Sequence, residues 1–283
     1  MSHMGHFCRC TFGTLITNSH SVKAKTEELL YFLLWSCEQL TRPSFRNLTD
    51  SFESWAYRNG FQRHLAELER RKLIESRSLP SDERVHRLTT QGRLLALGGR
   101  DPEERWGRVW DGQWRLVVFD VPLGQDNQRK RLLRYLHARH FGYLQKSVWI
   151  TPDPLNEERE ILDGTQAKPR SLILFEARPA AAESDKEIVQ AAWDFPQINR
   201  GYARYLEVAN SEPTGGSAGQ SGAKALRRWA AEERAAWETA LSKDPLLPER
   251  LLPEDYSGKK AWSSRAAALE RASEQLRSFN GEE

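Results

Sequence analysis

Apolar residues fall along this chain at two different spacings, and the change of spacing marks its parts. Between about Ala24 and Gln39, Leu29, Leu30, Phe32, Leu33, Leu34 and Cys37 give a wide apolar face at helical intervals, which predicts a helix at the centre of a small domain. Pro43 and Ser44 restart the chain, and Ser44 is placed to cap a short helix through Asp50. Asn59-Gly60 breaks the polar stretch that follows. Past it, Phe61, Leu65, Leu68 and Leu73 form a buried stripe, with Gln62, Arg63, Glu69 and Arg70 off the stripe. Leu73–Arg77 and Arg84–Leu88 are short extended pieces, and the link between them carries Pro80 and Asp82, the turn chemistry of a hairpin. Thr89 or Thr90 caps another helix that stops before Gly98-Gly99. Helices, a hairpin and a further helix predict a winged helix-turn-helix over residues 23–100. A small helical domain that binds nothing is the plainer alternative.

A second unit covers residues 106–180. Arg115–Phe119 is a dense β-branched and aromatic run stopped by Asp120-Val121-Pro122. A basic amphipathic helix follows, with Leu132, Leu133, Leu136 and Phe141 inward and Arg129, Lys130, Arg131, Arg134 and Arg139 mostly outward. Ser147–Ile150 reads as a second strand, Asn156–Leu162 as a short helix, and Ser171–Phe175 as a third strand. Strand, helix, strand, helix, strand predicts a ferredoxin-like α/β sandwich. From Ser184 to the end the pattern is helical, interrupted by a flexible Gly- and Ser-rich insertion at 211–222. One helix covers about Ala223–Leu241, with Leu226, Trp229 or Ala230, Glu233, Trp237 and Leu241 along one side, and a last one runs from about Lys260 to Phe279. The fold class is therefore multidomain α+β, with a C-terminal helical domain at 184–283.

Composition narrows the classes. The 283 residues exceed one small domain. The longest strongly apolar run, Leu29–Cys37, is far short of the roughly 20 residues a spanning helix needs. Met1-Ser2-His3-Met4 reads as a cloning remnant, and no secretory leader is expected. Cys8, Cys10 and Cys37 are too few and oddly spaced for a disulfide framework or a zinc knuckle, which suits a cytoplasmic chain. Net charge is +3, but Lys23–Arg100 alone holds 14 Lys or Arg against 10 Asp or Glu. The basic surplus is confined to the winged segment, where phosphate would be met.

Three runs carry a resemblance. Asp111-Gly112-Gln113-Trp114-Arg115-Leu116-Val117-Val118-Phe119-Asp120-Val121-Pro122 and Phe141-Gly142-Tyr143-Leu144-Gln145-Lys146-Ser147-Val148-Trp149-Ile150-Thr151-Pro152 resemble the middle of the PaaX family of bacterial transcriptional regulators. Asp244-Pro245-Leu246-Leu247-Pro248-Glu249-Arg250-Leu251-Leu252-Pro253, continued by Tyr256, Gly258 and Ala261, resembles that family's C-terminal signature. The resemblance implies a homodimeric repressor of a DNA operator, with a coenzyme A thioester as effector and no resident cofactor. The segment Tyr57–His64 departs from the family's usual recognition run.

Candidate chemistry follows from these placements. A recognition helix reads base edges from its N-terminal turn, where Arg forks onto guanine and Asn or Gln onto adenine. Arg58, Asn59, Gln62 and Arg63 hold that position, and Arg77, Arg84 and Arg87 in the hairpin face phosphate or the minor groove. A solvated basic face is the alternative. Trp106, Trp110 and Trp114 recur every four residues beside Arg105 and Arg108. Arg105, Trp106, Arg108 and Trp110 would make an aromatic and cationic wall for an acyl-CoA, or simply pack domains together. The middle unit also resembles small ferredoxin-like ribonucleases of CRISPR adaptation, whose first-strand aspartate matches Asp120. Asp120 therefore either holds a divalent metal for nuclease chemistry or caps the turn before Pro122.

Overall fold

The computed structural model describes residues 62–78, 84–119, 126–155, 172–180, 184–213 and 220–278. The helices expected over Ala24–Gln39, Ser44–Asp50 and Asn156–Leu162 lie outside these residues, as do Cys8, Cys10, Cys37 and residues 214–219 of the insertion. What is described is α+β, with two small sheets and a helical C-terminal unit.

Helix α1 (Gln62–Arg70) turns Leu65 and Leu68 inward and ends where Lys72 adopts a positive φ of 57°. There Leu73 N donates to Leu68 O across the last turn, a Schellman-type close that aims the chain into a strand. Strands β1 (Ile74–Ser78) and β2 (Arg84–Leu88) pair antiparallel, Ile74 opposite Leu88 and Ser78 opposite Arg84, so the expected hairpin is present. Thr89 caps α2 (Thr90–Ala96): its Oγ1 accepts from Gly92 N at 3.0 Å and donates to Lys72 O at 2.8 Å. One side chain thereby ties the helix start to the start of the hairpin.

A short helix, α3 (Pro102–Gly107), follows under an Asp101 cap with Pro102 in its first turn. Strand β3 (Trp114–Phe119), helix α4 (Asp126–Ala138), β4 (Gly142–Gln145), β5 (Val148–Thr151) and β6 (Leu172–Ala177) make one antiparallel sheet in the order β4-β5-β3-β6. Four strands stand where the sequence pattern gave three. The extra one, β4, is a short edge strand with a register shift between Tyr143 and Gln145, so no clean alternation announces it. Its Gly142 lies where a Cβ would come within 2.7 Å of Ala192 Cβ and the Trp193 ring, and only glycine lets the sheet approach that close.

The sheet's two faces have different partners. Val117, Phe119 and Trp149 pack with Leu136 of α4 and with Phe141. Trp114 and Ile150 instead join a second core shared with the hairpin residues Leu73, Ile74 and Leu88 and with the C-terminal helices. Those helices are α5 (Asp185–Ala192), started by a Ser184/Glu187 capping box, α6 (Phe195–Ala209), α7 (Gln220–Leu241) and α8 (Gly258–Ser278). Leu226, Glu233, Trp237 and Leu241 lie buried along α7 as their spacing predicts. No helix among the described residues is long and apolar enough to cross a membrane.

Candidate nucleic-acid interface and the joint behind it

Of the expected reader residues, Gln62 and Arg63 open α1, Arg77 lies in β1 and Arg84 opens β2, while Arg87 is exposed on β2 opposite Glu75. Arg58 and Asn59 lie outside the described residues. At the far end of α1 the cations are engaged. Arg70 Nε donates to Glu67 at 3.0 Å and Arg71 Nε at 2.6 Å, and the two guanidiniums hold the Glu67 carboxyl below its usual range. The hairpin also buries His86, whose Nδ1 is 2.7 Å from Ser76 Oγ, a pairing that nothing in the local sequence pattern announces.

Behind the helix–hairpin–helix unit lies a polar joint built from all three parts of the chain. Arg100, which follows the α2 terminus, donates from Nη1 to Leu241 O at 3.0 Å and Asp244 O at 2.6 Å. Arg105 and Arg108 close on one carboxylate: Arg105 Nη2 and Arg108 Nε each lie 2.6 Å from Asp153, just past β5. Arg108 Nη1 also donates to Leu246 O at 2.5 Å. Asp244 is fully buried and accepts from the Tyr202 and Tyr256 hydroxyls and from Leu246 N at 2.8 Å. Trp106 Nε1 donates to Tyr256 OH at 3.2 Å, and Trp262 Nε1 to Glu103 at 3.0 Å. The short helix α3 is thus pinned on one side to the sheet and on the other to the C-terminal unit.

Of the four residues expected to form a ligand wall, Arg105 and Arg108 meet on Asp153 while Trp106 and Trp110 part. Helix α3 ends at Gly107 with Arg108 already extended, so Trp106 and Trp110 do not share a helical face. Trp106 is buried against Tyr256, whereas Trp110 lies tilted against Trp114, ring centroids 5.3 Å apart, and donates to Gln113 O. The first signature run has a structural role as well. Gly112 turns at φ 77°, and Asp111 accepts from Gln113 N and from Arg115, which is buried and also donates to Pro152 O. Trp114 Nε1 reaches Asp185 at 2.9 Å and fixes α5 to the sheet. Asp120 lies outside the described residues. Among those described, no group of three or more His, Cys, Asp or Glu is placed to hold a metal.

The electrostatics of the joint follow from burial. Burial pushes the Arg100 guanidinium down to about 10 and lowers Arg108, and it raises Asp244. Burial alone would raise Asp153 too, but Arg105 and Arg108 outweigh it and hold that carboxyl below its ordinary value. His140, beside Arg100 and Arg105, is driven from 6.5 to about 4 by burial and then by those two cations. A folded-state pKa below the unfolded one means that His140 adds stability above pH 6.5 and that this is lost as pH falls toward 4. His140 sits at φ 58°, which Asn tolerates, so His140→Asn removes the titration without straining the turn. Urea unfolding midpoints at pH 7 and pH 5 should differ less in His140→Asn than in the parent chain. An equal drop in both would remove His140 from the account.

A helix–hairpin–helix unit, a four-stranded split sheet and a helical unit, locked through one buried joint, define an α+β multidomain architecture. Comparison with known families places it. Residues 107–189 match the PaaX protein central Cas2-like domain, and residues 193–280 match the PaaX-like protein C-terminal domain. The chain belongs to the PaaX family. Among solved structures, the uncharacterized protein Rv0674 from Mycobacterium tuberculosis is similar at 22% identity, with 77% of this chain and 84% of that one covered and a TM-score of 0.45. No curated protein matches. Family membership makes this a PaaX-type regulator at family level.

Proposed function

We propose that this chain is a cytoplasmic, homodimeric transcription repressor that binds operator DNA through a winged helix and is released by a small acidic ligand. The observation that carries the reading is the helix–hairpin–helix of residues 62–96, bonded through Arg100 to a body of the PaaX family. Two such readers in a dimer would meet half-sites about one helical turn, or a multiple, apart. The order β4-β5-β3-β6 supports a ferredoxin-like reading of the middle unit. One sheet face leaves Ile173 and Phe175 about half exposed beside the partly buried Leu116 and Val118, which supports a dimer seated there. Arg105 and Arg108 act in this reading by holding the joint through Asp153, so the effector, a coenzyme A thioester by family resemblance, takes other residues.

Arg63→Ala should lower affinity for the operator by roughly 5- to 150-fold, the worth of one bidentate base contact, and change affinity for random duplex far less. Asp120→Ala should leave operator binding intact. Fluorescence anisotropy on both duplexes at fixed salt reads the two outcomes. Equal loss on operator and random DNA would take Arg63 out of base reading.

A further inference from the structure

Helices α6 and α7 enclose a groove of about 370 Å³, within the range of small-molecule sites. Its floor is apolar, from Ile198, Val208, Ala236 and Ala240, and it is deep at Gly201, where a Cβ would stand 3.8 Å from Ala240 Cα. Its rim is cationic: Arg200 and Arg204 project from α6 and Lys243 from just beyond α7, all exposed. No acidic residue lines the groove, and among the described residues none of these three cations meets a carboxylate. Elsewhere on α7 the pattern is the opposite. Arg228 lies 3.1 Å from Glu232 and Arg234 lies 2.9 Å from Glu238, each answered one turn on. Arg200 and Arg204 are instead like charges one turn apart, a placement that disfavours the free helix.

We propose that this groove binds a small organic anion, a phosphate or carboxylate carried on an apolar body, and that its occupation is transmitted to the reader through Arg100. The apolar floor takes the body and the unneutralised rim takes the charge. The groove adjoins the joint at both helices. Lys243 precedes Asp244, Leu241 O and Asp244 O are the acceptors of Arg100, and Tyr202, next to Gly201, donates to Asp244. A ligand that moves α6 against α7 therefore moves the anchor of the reader's linker. The transmission rests on the regulator reading; the site does not.

The probes are 2-naphthyl phosphate, its neutral counterpart 2-naphthol, and inorganic phosphate, titrated into the full chain without DNA by calorimetry. Naphthyl phosphate should bind about tenfold or more tighter than either of the others, since each lacks one half of the recognition. Arg204→Gln with Lys243→Gln should cost naphthyl phosphate about tenfold at unchanged melting temperature, and Gly201→Leu should weaken naphthyl phosphate by filling the floor. Equal binding of the three probes, or no effect of the paired substitution, would overturn the site. With the site filled, operator affinity should fall about fivefold in the parent chain and not in Arg100→Met. Binding without that fall would overturn the transmission alone, and absence of any specific DNA binding would overturn the regulator reading while the titration still decides the site.

Discussion

Gly92→Ala is expected to unfold the hairpin end of the reader and to abolish specific DNA binding. A Cβ at Gly92 would lie 1.9 Å from Leu73 O and 2.8 Å from Leu73 C, both backbone atoms that no rotamer change can clear. To make room, α2 must leave β1. That breaks the bond from Thr89 N to Leu73 O at 3.0 Å and the one from Thr89 Oγ1 to Lys72 O. It also opens the packing of Leu97, which is fully buried, against the hairpin core. Overpacking against fixed backbone belongs to the large end of single-substitution effects, at least ~3 kcal/mol. Gly107→Ala is the control, because nothing lies within 4 Å of its Cβ position. Hydrogen exchange over residues 62–96 should rise in Gly92→Ala and not in Gly107→Ala. A Gly92→Ala chain with parental exchange and operator affinity would show that α2 does not sit where the structure has it.

Arg265→Met should be the other severe change, acting at the C-terminal core. Arg265 and Glu233 are both fully buried, with Nε 3.0 Å from Oε1, and the Tyr205 hydroxyl donates to the same oxygen at 2.7 Å. The guanidinium also stands 4.7 Å over the Trp237 ring. Burial already raises the Glu233 carboxyl, and Arg265 pulls it back. Removing Arg265 leaves a carboxyl in an apolar interior with one hydroxyl partner, a change that costs about 3–5 kcal/mol. For a chain of this size that is roughly 6–20 °C in Tm. Glu233→Leu together with Arg265→Met removes both charges and should recover much of the loss, as apolar replacements of buried pairs commonly do. Calorimetry of the two single and the double variant reads this. A double variant less stable than Arg265→Met alone would mean that the pair stabilises by more than mutual neutralisation.

Much of this arrangement is legible in the chain because local chemistry decides it. Pro80 and Asp82 mark the hairpin, Thr89 marks the cap of α2, and the stripe from Leu226 to Leu241 marks the buried side of α7. Strand β4 escapes because its cause is distant: Gly142 is small to admit Ala192 and Trp193, about fifty residues on. The joint escapes for the same reason. Asp244 and Tyr256 stand in a recognisable run, but nothing near Arg100 or Asp153 tells that one will bond the carbonyl of Leu241 and the other two arginines of the linker. The cationic wall expected of Arg105 and Arg108 illustrates the converse. Spacing shows that the residues neighbour one another, and only the fold shows that a carboxylate already lies between them.

The most direct test of the regulator reading is a gel shift of the full chain on the DNA upstream of its own gene, at physiological salt, with excess random duplex as competitor. A shift that survives the competitor, and is lost in Gly92→Ala but kept in Gly107→Ala, is the predicted result. A shift that the random duplex removes as readily as the upstream DNA itself, or no shift at all, would contradict it.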